Sequence, residues 1–158
     1  DRLDRIDLEE YSYEELGEIV HINLPDVDFS KGLLGKIASV LRGNARAAQK
    51  MAIKIQMWLD ANGGYKFLAA DWKDLMYTLG IAPLGLRAKE IEILRVLRNS
   101  RDCSLTRLGS KTGMTPESLR RDYELYLMKV DLLEISTAGR NITPEGKDYL
   151  KELDKEAA

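Results

Sequence analysis

The chain has 158 residues, a net charge of −2 at pH 7 and 44% hydrophobic residues, which suits one globular domain or two small ones. It has a single cysteine, Cys103, and a single histidine, His21, so an internal disulfide is excluded and a zinc site or a Ser-His-Asp triad is disfavoured. No apolar run approaches the roughly 20 residues that span a bilayer, and the lone cysteine fits a reducing cytoplasm, so a cytoplasmic protein without a membrane segment is expected.

The first residues have the pattern of a strand. From Arg2 to Leu8 polar and apolar residues alternate. A strand needs a partner, and no other strand pattern lies near it in sequence. Residues 1–11 are therefore predicted to be the terminal strand of a larger, truncated domain.

Residues 12–82 are predicted to form a helical bundle. Ser12 and Glu15 have the spacing of a capping box, so a helix begins after Ser12. Pro25 interrupts the pattern, and Asp28 or Ser30 is expected to begin the next helix. Apolar residues recur at helical spacing and are assigned to the core: Leu33, Leu34, Ile37, Met51, Ile55, Leu59, Trp72 and Leu75.

A further helix is predicted to begin at Asn44, directly after Arg42 and Gly43. Asn44 can act as the N-cap, which places Arg46 in the first turn. A cation is unfavourable at that end of the helix dipole unless an anion lies nearby. Arg46 is therefore either a phosphate ligand or a solvated surface arginine, and the pattern alone favours the solvated arginine.

Residues 83–158 are predicted to form a winged helix. The glycines and proline of residues 80–85 mark the boundary, and Thr115 and Pro116 are an N-cap and a first-turn proline. Two helices joined by a glycine turn and followed by a hairpin are typical of this fold. The predicted elements are helices at 88–97, 105–111 and 116–129, strands at 132–135 and 140–143, and a final helix from 144 to 153.

This second region carries the cations that suit nucleic acid. From Arg87 to Lys129 there are ten Lys/Arg and six Asp/Glu, whereas the flanking stretches are acidic. Cations on the two helices can neutralise phosphates, and a wing arginine can enter a minor groove. The predicted DNA-binding residues are Arg107, Lys111, Arg120, Arg121 and Arg140. Solvated surface arginines are the competing interpretation for Arg120 and Arg121.

The parts that bind Mg-ATP are missing from the sequence. There is no G-x-x-x-x-G-K-[ST] pattern, and in residues 109–112 Ser110 stands where a glycine should precede the lysine. No apolar run ends in an acidic pair suited to magnesium. The chain alone is expected not to hydrolyse ATP.

Several segments, in order along the chain, resemble RuvB-type AAA+ motors for Holliday-junction branch migration. RGNARAAQKM (42–51) resembles the family's RGTPRIANRL, and YTLGIAPLGL (77–86) resembles DMLGVDELGLD. Residues 126–128 resemble PYLIQ, and TAGRNIT (137–143) resembles TPRGRVAT. The first residues, with Arg2, resemble LRDRFGIVLRLEFYTPEEL.

The resemblance implies a mainly α architecture: the end of the large ATPase domain at 1–11, an AAA+ lid at 12–82 and a winged-helix domain with a small hairpin at 83–158. It implies that Arg46 is the sensor 2 residue, that Arg2 is a candidate arginine finger and that Arg140 contacts DNA. Ala45 replaces a family proline, and Arg120 and Arg121 depart from a more acidic family helix.

The function expected from the resemblance is that of the C-terminal part of an ATP-dependent branch-migration helicase. The intact protein would use ATP and Mg, form a homo-hexamer and act on duplex DNA and Holliday junctions with a RuvA-like partner. Two alternatives remain open from the sequence: a winged-helix transcription regulator, and an AAA+ replication initiator or clamp-loader-like protein.

Overall fold

Residues 9–156 are described in the computed structural model of the chain, and they divide between two units, Asp1–Gly85 and Leu86–Ala158. Arg2 and residues 1–8 of the predicted terminal strand lie outside the described residues, and residues 9–11, the remainder of that prediction, are not in a strand. Helices dominate both units, each of which has one small pair of strands. The predicted mainly α fold class is confirmed.

The first unit is a helical bundle with a short parallel strand pair. Its hydrophobic core includes fully buried Leu16, Ile37, Ile55 and Phe67. The bundle forms because each helix presents one apolar face to this common centre. The elements are α1 (Tyr13–Asn23), β1 (Asp28–Phe29), α2 (Leu33–Ala38), α3 (Ala45–Asn62), β2 (Lys66–Phe67) and α4 (Ala69–Leu79).

Two features of this unit differ from the sequence predictions. The residues Asp28 and Phe29 form a strand rather than opening a helix, and they pair in parallel with Lys66 and Phe67. The helix that follows starts later, after Gly32, which has a φ of +75°. The predicted start at Asp28 or Ser30 is wrong, because backbone pairing with a distant segment holds this stretch extended.

Three other predicted helix starts, after Ser12, Asn44 and Thr115, are confirmed. Ser12 and Glu15 make both hydrogen bonds of the capping box, and Asn44 Oδ1 accepts the amide of Ala47 at 3.2 Å. Thr115 caps the following helix through the amide of Ser118.

The second unit is a winged helix. A three-residue 3₁₀ turn, Pro83–Gly85, precedes it. The order of helices and the antiparallel hairpin match the predicted pattern. The elements are α5 (Ala88–Arg98), α6 (Leu105–Thr112), α7 (Pro116–Ser118), a π-helical segment (Leu119–Glu124), α8 (Leu125–Lys129), β3 (Leu133–Ile135), β4 (Arg140–Ile142) and α9 (Pro144–Glu156).

The wing sheet has a third contributor that the sequence analysis did not predict. Cys103 pairs with Arg140, and the two residues exchange backbone hydrogen bonds of 3.0 and 2.9 Å. Gly139 allows this approach, because a Cβ there would lie 2.5 Å from the carbonyl carbon of Asp102. The start of β4 is therefore fixed to the segment that leads into α6.

Candidate nucleic-acid interface

The helix-turn-helix is built by α6 and the composite second helix, which runs through α7, the π-helical segment and α8. Gly113, with a φ of +66°, ends α6, and Thr115 starts the second helix two residues later. Leu108 and Leu119 are fully buried and hold the two helices in the unit's core. The turn therefore fixes the angle at which the exposed side chains of both helices are displayed.

Two arginines on these helices are available to bind an anion. Arg107 lies on α6 and Arg120 on the π-helical segment, and both are exposed. Within residues 9–156, neither guanidinium has a hydrogen-bonding or ion-pair partner. An unpaired arginine on an exposed helix can take up a phosphate without first breaking a contact.

Arg121 and Lys111 have weak local partners. Arg121 Nε and Nη2 donate to Asp122 at 2.7 and 3.0 Å, and this hydrogen-bonded pairing raises the pKa of Arg121 and lowers that of Asp122. The Arg121 side chain is nevertheless 78% exposed, where such a pair contributes little to stability. Lys111 Nζ donates to Ser100 Oγ at 3.3 Å. Both cations could exchange these partners for phosphate.

Arg140 is in a different environment from the other predicted DNA-binding residues. Its Nε donates to Glu124 Oε1, and its Nη2 donates to Glu124 Oε2 at 3.2 Å. The two side chains are only 13% and 3% exposed. Arg140 lies at the start of the returning wing strand, as predicted, whereas its buried carboxylate partner was not predicted. A direct DNA contact by Arg140 stays a prediction.

Two further cations flank a polar groove that the sequence analysis did not single out. Arg101 and Lys147 are exposed and have no ion-pair partner among the residues described. The groove has a volume of about 700 Å³ and is also lined by Asn99, Glu134 and Asn141. Arg101 falls inside the basic segment 87–129, so charge counting could have identified it, whereas Lys147 lies in an acidic stretch.

In the first unit, Arg46 stands where the sequence places it. It is the second residue of α3, directly after the Asn44 cap, and it is exposed. Its side chain has no partner within the described part of the chain. This geometry suits a residue that reaches for an anion, and it equally suits a solvated arginine.

Neither a metal centre nor a membrane span is found in the described residues. No group of three or more His, Cys, Asp or Glu side chains in that range could hold a metal ion. None of the helices between residues 9 and 156 is both long and apolar enough to cross a bilayer.

Comparison with protein families gives a match for the second unit. Residues 83–151 match the family model described as the RuvB C-terminal winged helix domain. Among curated proteins, the Holliday junction branch migration complex subunit RuvB of Ehrlichia canis is 28% identical over an alignment of 155 residues that covers 93% of this chain and 46% of that protein. The RuvB of Wolbachia sp. subsp. Brugia malayi is 25% identical over an alignment of 146 residues that covers 90% of this chain and 45% of that protein.

Solved structures show similarity to RuvB proteins in both units. The Thermotoga maritima RuvB Holliday junction branch migration motor superposes with a TM-score of 0.78 at 25% identity, covering 91% of this chain and 50% of that one. A mutant form of the same Thermotoga maritima protein gives the same TM-score with 92% of this chain covered. The chain thus spans about half the length of the proteins that it matches.

Proposed function

We propose that this chain, which corresponds to the C-terminal lid and winged helix of RuvB-type proteins, supplies the DNA-binding and nucleotide-sensing parts of an ATP-dependent branch-migration motor. Duplex DNA at a Holliday junction is the proposed substrate. The single observation that carries the DNA-binding part is the pair of exposed, partner-free arginines, Arg107 and Arg120, on the two helices of the winged helix.

Arg107, Lys111, Arg120 and Arg121 are proposed to contact phosphates rather than base edges. Phosphate contacts fix the position of a protein on a duplex but carry no sequence information. A motor that moves along any sequence needs this kind of contact. Binding through phosphates releases counterions, so the affinity should fall steeply with salt concentration.

The nucleotide-sensing part is proposed for the first unit. Arg46 would reach the phosphates of ATP from the N-terminal turn of α3, and Arg2 would act on the nucleotide of a neighbouring subunit. ATP and Mg would be held by an ATPase domain that the present sequence does not contain. The intact protein is also proposed to form a homo-hexamer, to act with a RuvA-like partner and to be located in the cytoplasm.

Duplex binding is tested by fluorescence anisotropy with two unrelated duplexes across a series of salt concentrations. Arg120→Gln should weaken binding to both duplexes alike and reduce the salt slope by about one. Arg95→Gln is the matched control: it removes the same charge, but Arg95 lies on α5 and is paired with Asp154 at 3.0 Å. The control should leave the slope unchanged.

Selection from random DNA separates the motor from a transcription regulator. A regulator should recover a defined motif, often palindromic if the protein dimerises. A sharp consensus would contradict the motor, and absent or salt-insensitive binding to the duplexes would contradict the phosphate contacts.

A further inference from the structure

The Arg140–Glu124 pair joins two parts of the winged helix that are 16 residues apart in sequence. Arg140 opens β4, and Glu124 is the last residue of the π-helical segment. The arginine offers two nitrogens to the two carboxylate oxygens, so the contact fixes direction as well as distance. The wing and the second helix are therefore tied in one orientation.

Both ends of this link are anchored. The backbone of Arg140 exchanges two hydrogen bonds with Cys103, so its Cα is held in the sheet. Glu124 lies between Leu119 and Leu127 in the second helix, and both leucines are fully buried. A contact between two anchored backbones transmits orientation, whereas a contact between two mobile side chains would not.

Stability alone is a poor explanation for a pair this deeply buried. Removing two charges from water is costly, and apolar side chains of similar volume often stabilise a fold as well or better. A buried ion pair can instead specify one arrangement among several. Here the pair would specify the orientation of the second helix, and with it that of Arg120 and Arg121, which lie on the same π-helical segment as Glu124.

The tip of the wing gives no sign of a charge-based phosphate contact. Its residues Ser136, Thr137 and Ala138 are exposed and uncharged. Between Leu133 and Ile142, Arg140 is the only cation, and its side chain is largely buried against Glu124. The wing therefore does not present a free positive charge.

We propose that Arg140 is a positioning residue for duplex binding: through Glu124 it holds the second helix, with Arg120 and Arg121, in the orientation that meets the phosphates. This inference rests on the proposed duplex binding. Loss of the pair should leave every phosphate contact available but reduce the fraction of molecules in the binding orientation.

Glu124→Gln provides a test because two explanations predict opposite changes in the affinity for duplex DNA. The substitution removes a negative charge beside the interface and releases Arg140, so simple electrostatics predicts tighter binding and a steeper salt slope. A positioning role predicts weaker binding, on the order of tenfold if the competent orientation falls to about a tenth of the population. The salt slope of the variant should then equal that of the wild type. Arg140→Lys should behave in the same way, since lysine keeps the charge but cannot form the fork.

The control is Asp154→Asn, which removes one negative charge from an exposed pair in the same unit. It should not weaken binding. The experiment uses the whole chain and a labelled duplex of arbitrary sequence, with far-UV circular dichroism to establish folding. Weaker duplex binding with an unchanged salt slope in both Glu124→Gln and Arg140→Lys supports the inference.

Unchanged or tighter binding by Glu124→Gln, or wild-type affinity in Arg140→Lys, overturns the positioning role while leaving the duplex-binding proposal intact. If both variants unfold, the pair maintains the fold rather than an orientation, and the inference also fails. If the wild-type chain does not bind duplex at low salt, the proposed DNA binding fails together with it.

Discussion

The substitution Gly109→Ala in α6 has two opposing effects on stability, one from helix propensity and one from a close contact. Alanine is favoured over glycine in a helix interior by about 0.8–1.0 kcal/mol, so propensity alone predicts a more stable winged helix. However, a Cβ at this position would lie 2.7 Å from the carbonyl oxygen of Met114 and 3.8 Å from Cδ1 of Leu119. The first of these atoms belongs to the backbone and cannot rotate away.

The close contact should outweigh the gain in helix propensity, so the net change in stability should be a loss. Met114 is also tied to Gly109 by a backbone hydrogen bond of 3.1 Å, so the turn and the helix can separate only by giving up that bond. Forcing an extra methyl group into such a packed site costs about 1–3 kcal/mol. After the gain in propensity is subtracted, Gly109→Ala should destabilise the second unit by about 1 kcal/mol.

The chain offers a convenient assay, because both tryptophans, Trp58 and Trp72, lie in the first unit. Tryptophan fluorescence therefore follows the unfolding of that unit, while far-UV circular dichroism follows both. In a denaturant titration, Gly109→Ala should shift the dichroism curve to lower denaturant and leave the fluorescence curve in place.

Gly35→Ala is the matched control for this substitution. Gly35 lies in α2 of the first unit, and a Cβ there would meet nothing within 4 Å. It should stabilise that unit by roughly 0.5–1 kcal/mol and move the fluorescence curve to higher denaturant. A Gly109→Ala protein as stable as the wild type or more so would show that the turn can move aside, which refutes the packing argument.

Three other predictions concern the first unit and the nucleotide. The isolated chain should show no ATP turnover above that of a contaminant control, because no phosphate-binding loop is present; turnover that co-purifies with the chain through every step would contradict this. In the intact protein, Arg46→Ala should cost roughly 1.5–3 kcal/mol of nucleotide interaction, measured by ATP affinity and turnover, without a change in thermal stability; unaltered kinetics would leave Arg46 as a surface residue. Hydrogen bonds from Ser12 hold the pKa of Glu15 below its ordinary value of 4.5, so its stabilising contribution is complete above that pH and is lost as the pH falls through the lower folded value. Fluorescence-detected melts should therefore show a smaller acid-induced loss of stability in Glu15→Gln than in the wild type.

The features that could be predicted from the sequence are mostly local. An N-cap at Ser12, Asn44 or Thr115 depends on a side chain and an amide three residues away, so the signal lies within one turn of chain. The hairpin at 133–142 is similarly short, with its two strands joined by four residues. These predictions needed no knowledge of distant contacts.

The features that were missed depend on residues far apart in sequence. The pairing of Asp28 with Lys66 involves strands of two residues each, which leave almost no periodic pattern. Glu124 has the sequence appearance of a solvated helix residue, and only the approach of Arg140 makes its burial possible. The charge of Arg140 was visible from the sequence, but its partner was not.

The π-helical segment has a consequence for how related chains are compared. A π turn takes in one residue more than an α turn, because its hydrogen bonds run from i to i+5 instead of i to i+4. Loss of one residue between Leu119 and Glu124 would let the segment close as ordinary α-helix, while the turns before and after it keep their orientation. Thr115 and the wing would keep their places, while the cations between them would face a new direction. A one-residue gap at this point in an alignment therefore marks a relative whose second helix presents different side chains to its ligand.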